Sequence, residues 1–115
     1  GKFDSRCKVT QASCDSHSMQ PTIDCRDCVI ECPPSKIEVG DIIGFIPFQE
    51  CPLKKGYDYY LHRVIAIKND VDGLYYLTRG DNNYDYNYAQ MKFDGDDCKI
   101  RPYHIKWEVA GVIYR

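Results

Sequence analysis

Four runs of β-branched and aromatic residues constrain this chain more than any other feature: "DIIGFIPF" (41–48), "YYLHRVIAIK" (59–68), "LYYLT" (74–78) and "IKWEVAGVIY" (105–114). Side chains branched at Cβ, or carrying rings, fit a pleated and half-buried surface better than a helix. No stretch repeats its apolar residues at helical spacing, and the segments between the runs are rich in Asp, Asn, Gly, Pro and Tyr. The pattern predicts a mostly β domain with no internal repeat. The ten tyrosines, several of them in "YDYY" and "NYDYNY", suit strands as readily as an amphipathic surface at a membrane or a partner.

The 115 residues, 43% of them hydrophobic, suffice for one domain with a core and not for two. Fifteen basic against seventeen acidic residues give a net charge of −2. No Lys/Arg cluster forms the basic stripe that nucleic-acid binding requires, so nucleic acid is not expected as a partner. No apolar run is long enough to span a bilayer, and "GKFDSRC" carries no signal-peptide core. Gly1 without a preceding Met is what removal of a tag leaves, so the natural protein is expected to extend upstream.

Seven cysteines, Cys7, Cys14, Cys25, Cys28, Cys32, Cys51 and Cys98, are heavy usage for a reducing compartment. Disulfides in an oxidising space are the simplest reading. The spacing of Cys25 and Cys28 also suits zinc, with Cys14, Cys32, Cys51 or Cys98 completing a site, but no second C-x-x-C exists and no metal is assigned. An odd count leaves at least one thiol free or paired with another chain. The segment "DCRDCVIECPPSK" (24–36) is charged, ends in prolines, shows no periodicity and is expected to be an inserted loop.

One strand pairing follows from the order of residues. "NDVDG" (69–73) fits a five-residue hairpin loop, which sets Lys68 opposite Leu74 and brings His62 beside Gly80 and next to Asp81. Along that strand His62, Val64 and Ala66 share one face, and Arg63, Ile65 and Ile67 the other. Both faces are largely apolar, so His62 is expected to be shielded from water. Burial and a nearby carboxylate act oppositely on a histidine's proton affinity, and their balance is how such a group is tuned as a base.

Four short motifs occur in a fixed order: "SHSMQPT" from Ser16, "GDIIGF" from Gly40, "LHRVIAI" from Leu61 and "LTRGDNN" from Leu77. This series resembles the type I signal peptidases, membrane-bound serine proteases whose boxes run S-x-S-M-x-P-T, G-D-[IV]-[IV], [KH]-R-V and G-D-N. The likeness covers most of Ser16 to Asn83. It implies a partly barrel-shaped antiparallel β domain, in agreement with the strand pattern. Histidine rather than lysine in the third box is similar to the archaeal and endoplasmic-reticulum branch.

By position the resemblance implies Ser18 as nucleophile and His62 as general base, with no cofactor. Ser16 would help hold the oxyanion with the backbone N–H of Ser18. Asp81, or Asp85 shortly after it, would orient His62. Met19, Pro21, Gly40, Asp41, Arg63, Gly80 and Asn82 support the motifs, and Thr22 shapes the turn after the nucleophile. The family usually has glycine between the two serines, where this chain has His17, and its relatives are short where this chain carries residues 24–36. The implied substrates are secretory preproteins cut after small residues. A membrane anchor upstream of Gly1, a catalytic domain on the non-cytoplasmic face and accessory subunits are also implied. Two other classes share the fold: a cysteine-stabilised binding or assembly module with weak or no turnover, and a self-cleaving repressor-type peptidase. The latter uses a lysine base that is missing after Leu61.

Overall fold

A computed structural model describes residues 5–12, 19–46, 48, 60–81 and 98–114. They form one antiparallel sheet of six strands: β1 (Lys8–Gln11), β2 (Cys28–Cys32), β3 (Ile42–Phe45), β4 (Tyr60–Asp70), β5 (Gly73–Arg79) and β6 (Ile105–Ile113). The spatial order is β1-β2-β6-β3-β4-β5, so the last strand of the chain lies at the centre. The mostly β expectation holds. Among the described residues the sheet is open, with β1 and β5 as its edges, rather than closed into a barrel. None of the described residues form a helix long and apolar enough to cross a membrane.

Burial accounts for the sequence of each strand. β3 reads "IIGF" without polar alternation because all four residues are buried, between β6 and β4 and under cover on both faces. Neighbouring residues of a strand point to opposite faces, so Ile42 and Ile43 seed two separate cores. Ile43 joins Phe45, Val64, Tyr76, Ile100 and Ile105. Ile42 joins Met19, Ile23 and Val29 on the other side. β1, "KVTQ", is exposed at all four positions, and its Lys8 suits an edge that must not recruit another strand.

The segment 24–36 is not a loop throughout. Its "CVIEC" is β2, paired with β1 on one side and β6 on the other. The alternation was hidden because Glu31, a charged residue, sits in the interior at 1% exposure. Another glutamate, Glu108 on β6, is equally buried. Its Oε1 accepts hydrogen bonds from the Ser35 backbone N–H (2.9 Å) and hydroxyl (2.5 Å), which ties the chain leaving β2 to the central strand.

The β4–β5 hairpin turns more tightly than the five-residue loop expected. Asp70 pairs with Gly73 and Asn69 with Leu74, so Lys68 faces Tyr75 rather than Leu74. Asp70 accepts the Asp72 N–H at 2.9 Å, and Gly73 takes φ +110°, the left-handed position that closes a turn through Val71 and Asp72. A bulge between Val64 and Ala66 then shifts the register by one residue, to Val64↔Thr78 and Arg63↔Arg79. The ladder ends there, one position short of His62 on β4 and of Gly80 after β5.

Cys7 and Cys32 form a disulfide that joins the chain entering β1 to the end of β2, and Cys25 and Cys98 each take part in a disulfide of their own. Cys25, Cys32 and Cys98 are thereby removed from any thiolate zinc set. Cys28 is free and half-buried, while Cys14 and Cys51 lie outside the described residues. With 25 residues separating Cys7 from Cys32, the link removes about 3 kcal/mol of unfolded-chain entropy. A Cys7→Ala/Cys32→Ala double variant should lose about that much stability, read as a lower urea midpoint against an otherwise oxidised parent.

Candidate functional site

The second core brings pieces of all four motifs together. Met19 begins a turn in which the Ile23 N–H donates to the Met19 carbonyl at 2.9 Å. Met19 and Ile23 are buried against Ile42 and Val29. Met19 Sδ accepts the backbone N–H of Asp81 at 3.3 Å, and Thr22 Oγ1 donates to Asp81 Oδ2 at 2.5 Å. The first motif therefore docks directly on the fourth.

Arg63 completes the junction. Its Nε donates to Asp81 Oδ1 at 2.9 Å and its NH2 to Asp81 Oδ2 at 2.8 Å, while NH1 donates to the Gly40 carbonyl at 2.7 Å. A guanidinium fork matched to both carboxylate oxygens is among the strongest and most directional pairs available to a protein. It links the third motif to the fourth through the side chain and to the second through the backbone.

The second motif is held to β4 as well. The Gly40 N–H donates to the Val64 carbonyl at 2.9 Å and the Val64 N–H to the Asp41 carbonyl at 2.8 Å. Asp41 in turn accepts the Glu38 N–H at 2.9 Å. Gly40 stands at φ +97°, where a side chain would be strained, so the turn that carries its carbonyl to Arg63 needs glycine.

Electrostatics follow this geometry. The Arg63 fork holds the Asp81 carboxyl below the ordinary carboxylate range. Partial burial opposes the effect, and the Thr22 hydroxyl, the charge of Arg63 and the nearby imidazole of His62 add to it. Arg63 is raised in return, chiefly by its hydrogen bonds to Asp81.

His62 points the other way. It pairs across the sheet with Ile43, is 4% exposed, and lies against Phe45 and Tyr60 in the first core. The expected shielding is present, and its source is the alternation of β4: His62 and Val64 face one core, Arg63 and Leu61 the other. The hydrogen bonds that the Asp81 side chain accepts come from Arg63 and Thr22, so its influence on His62 is through space.

Of the residues singled out in the sequence, Met19, Thr22, Gly40, Arg63 and Asp81 thus converge, and Asp41, Gly80 and His62 flank them. Pro21 lies in the Met19–Ile23 turn. Ser16, His17, Ser18, Asn82 and Asp85 lie outside the described residues. Among the described residues no three His, Cys, Asp or Glu side chains gather as a metal site. Thr22 as a partner of Asp81, and Phe45 and Tyr60 as neighbours of His62, were not foreseen. A threonine in a turn gives no sign of a residue 59 positions away, and the aromatic contacts depend on which face of each strand is inward. No family model, no curated protein and no solved structure matches this chain.

Asp81 is bound more tightly as a carboxylate in the folded chain than in the unfolded one. Its contribution to stability is full above its ordinary value of 3.8 and is lost as pH falls through the lower folded value. Asp70, held low chiefly by Arg101, titrates in the same direction. Asp81→Asn should therefore lower the urea midpoint at pH 7 by about 1–3 kcal/mol of stability. The gap from wild type should narrow between pH 4 and pH 2, as chemical unfolding across that range would read directly.

Proposed function

We propose that this chain is the catalytic domain of a serine endopeptidase resembling signal peptidase I, with Ser18 as nucleophile and His62 as general base. The observation that supports the reading best is the junction of Met19, Thr22, Gly40, Arg63 and Asp81. Four motifs recognised by their order along the chain meet in space through direct hydrogen bonds. A chance set of short motifs has no reason to interlock. Met19 directly follows the proposed nucleophile Ser18 in sequence, and Arg63 directly follows His62, so the junction is made by chain neighbours of both.

In this mechanism His62 accepts the Ser18 Oγ proton as the oxygen attacks the scissile carbonyl carbon. The oxyanion that forms is held by the Ser16 hydroxyl and the Ser18 N–H. His62 then gives its proton to the leaving amine, whose C–N bond breaks to leave an acyl-serine. Water, deprotonated by the same imidazole, attacks the ester carbonyl; the bond from the acyl carbon to Ser18 Oγ breaks as the imidazolium returns the proton to Oγ, releasing the new carboxyl terminus. Burial of His62 among apolar side chains keeps bulk water from competing for the imidazole. Since the oxygens of Asp81 serve Arg63 and Thr22, Asp81 acts as the clamp of the scaffold and reaches His62 through space. Asp85, the other carboxylate the sequence offers for orienting His62, lies outside the described residues.

The resemblance extends the proposal to substrates and setting: preproteins bearing signal peptides, cut after small residues, at a membrane reached through an anchor upstream of Gly1. The domain would stand on the non-cytoplasmic side with accessory subunits beside it, and the disulfides of Cys7, Cys25, Cys32 and Cys98 suit such an oxidising space. Ser18→Ala and His62→Ala should each lower kcat/KM on a fluorogenic peptide with alanine at the cleavage position by about 10³-fold or more, without altering the circular dichroism spectrum. Cleavage by Ser18→Ala at the wild-type rate would eliminate the mechanism. A wild-type chain that binds such peptides without cutting them would make this a binding module on the same fold.

A further inference from the structure

Three rings meet at the candidate base. The centroid separations are 5.9 Å between Phe45 and Tyr60, 5.9 Å between Phe45 and His62, and 5.8 Å between Tyr60 and His62, a nearly equilateral triangle. The sheet builds it. Phe45 and Tyr60 are register partners on β3 and β4, and His62 is the next residue after Tyr60 on the same face of β4.

The orientations differ in a way that matters for a base. Phe45 and Tyr60 are stacked, with 23° between their planes, whereas the imidazole stands edge-on to both, at 74° to Phe45 and 62° to Tyr60. Edge-to-face contacts suit the ring quadrupoles, and turning the imidazole about its Cβ–Cγ bond would give up two of them together. Phe45 is fully buried beneath, while Tyr60 is only partly buried, at the margin between the aromatic cluster and solvent.

We infer that Tyr60 is a positioning residue for His62, fixing the plane of the imidazole by its edge-on contact while Phe45 backs both rings. The inference rests on the reading of His62 as the base, because a proton-transferring nitrogen must keep its lone pair on the line to its donor. Displacements of about 1 Å in such an arrangement cost about 10²-fold in rate. The ring geometry itself can be measured whether or not the chain is a peptidase.

The experiment compares wild type, Tyr60→Phe and Tyr60→Leu by NMR of the histidine side chains and by peptide hydrolysis. In wild type and Tyr60→Phe, His62 gives one sharp set of imidazole signals with nuclear Overhauser contacts to the residue-60 ring, and kcat agrees within about twofold. In Tyr60→Leu the imidazole signals broaden or split as the ring samples other planes, and kcat falls by about tenfold or more at little-changed KM. A folded Tyr60→Leu that keeps one sharp imidazole environment, or that keeps the wild-type kcat, overturns the inference. So does a Tyr60→Phe as impaired as Tyr60→Leu. Should Tyr60→Leu fail to fold, Tyr60→Met, which keeps volume without a ring, carries the same comparison. If no form of the chain cuts peptide, the peptidase reading fails alone, and the imidazole spectra still decide the positioning role.

Discussion

The arrangement of this domain depends on the two-pronged pairing of Arg63 with Asp81. The fork uses Nε and NH2 on one carboxylate and leaves NH1 for the Gly40 carbonyl, so one side chain joins three segments distant in sequence. Thr22 donates to the same carboxylate and Met19 accepts the Asp81 N–H, which adds a fourth. An exposed ion pair would contribute little. Here the carboxylate is 17% exposed and is satisfied by three donors, which makes the pairing specific in geometry as well as favourable in energy.

The pairing also divides β4 into two functions. Because strand neighbours face opposite ways, committing Arg63 to the Met19 core commits His62 to the Phe45 core. The strand thus holds a polar clamp on one side and a shielded imidazole on the other, one residue apart. The bulge between Val64 and Ala66 separates this part of β4 from its distal end. There Arg101 and Lys99 grip Asp70 and lie over the Tyr75 ring, pinning the hairpin tip to the segment that leads into β6. The two ends of the hairpin are secured by separate ion pairs, and the register shift lies between them.

The four strongest strands were legible because their side chains are apolar on at least one face and their turns carry Gly, Asp or Asn. β1 and β2 were not. β1 is a short polar edge whose order comes from its neighbour, and β2 hides a buried glutamate within a run that reads as charged loop. His62 and Asp81 could be placed near each other from the hairpin register, but the Arg63 fork on Asp81 could not, since it depends on which face of β4 each side chain takes. The tighter hairpin and the bulge offset each other by one residue, so a register read with a wrong loop still coincides with the observed one at Val64↔Thr78 and Arg63↔Arg79, one position short of His62. Asp81 illustrates the limit of spacing alone: sequence brought it near the histidine, and the alternation of side chains gave its oxygens to the arginine.

The account stands on Ser18 and His62 acting as a pair, and their separation in a crystal structure of this domain would test it most directly. A distance within about 3.5 Å from Ser18 Oγ to the nearer ring nitrogen of His62, with the Arg63–Asp81 fork intact, is the result expected of a nucleophile and its base. A serine turned away from the imidazole, with the His17 side chain filling the space between them, would contradict it.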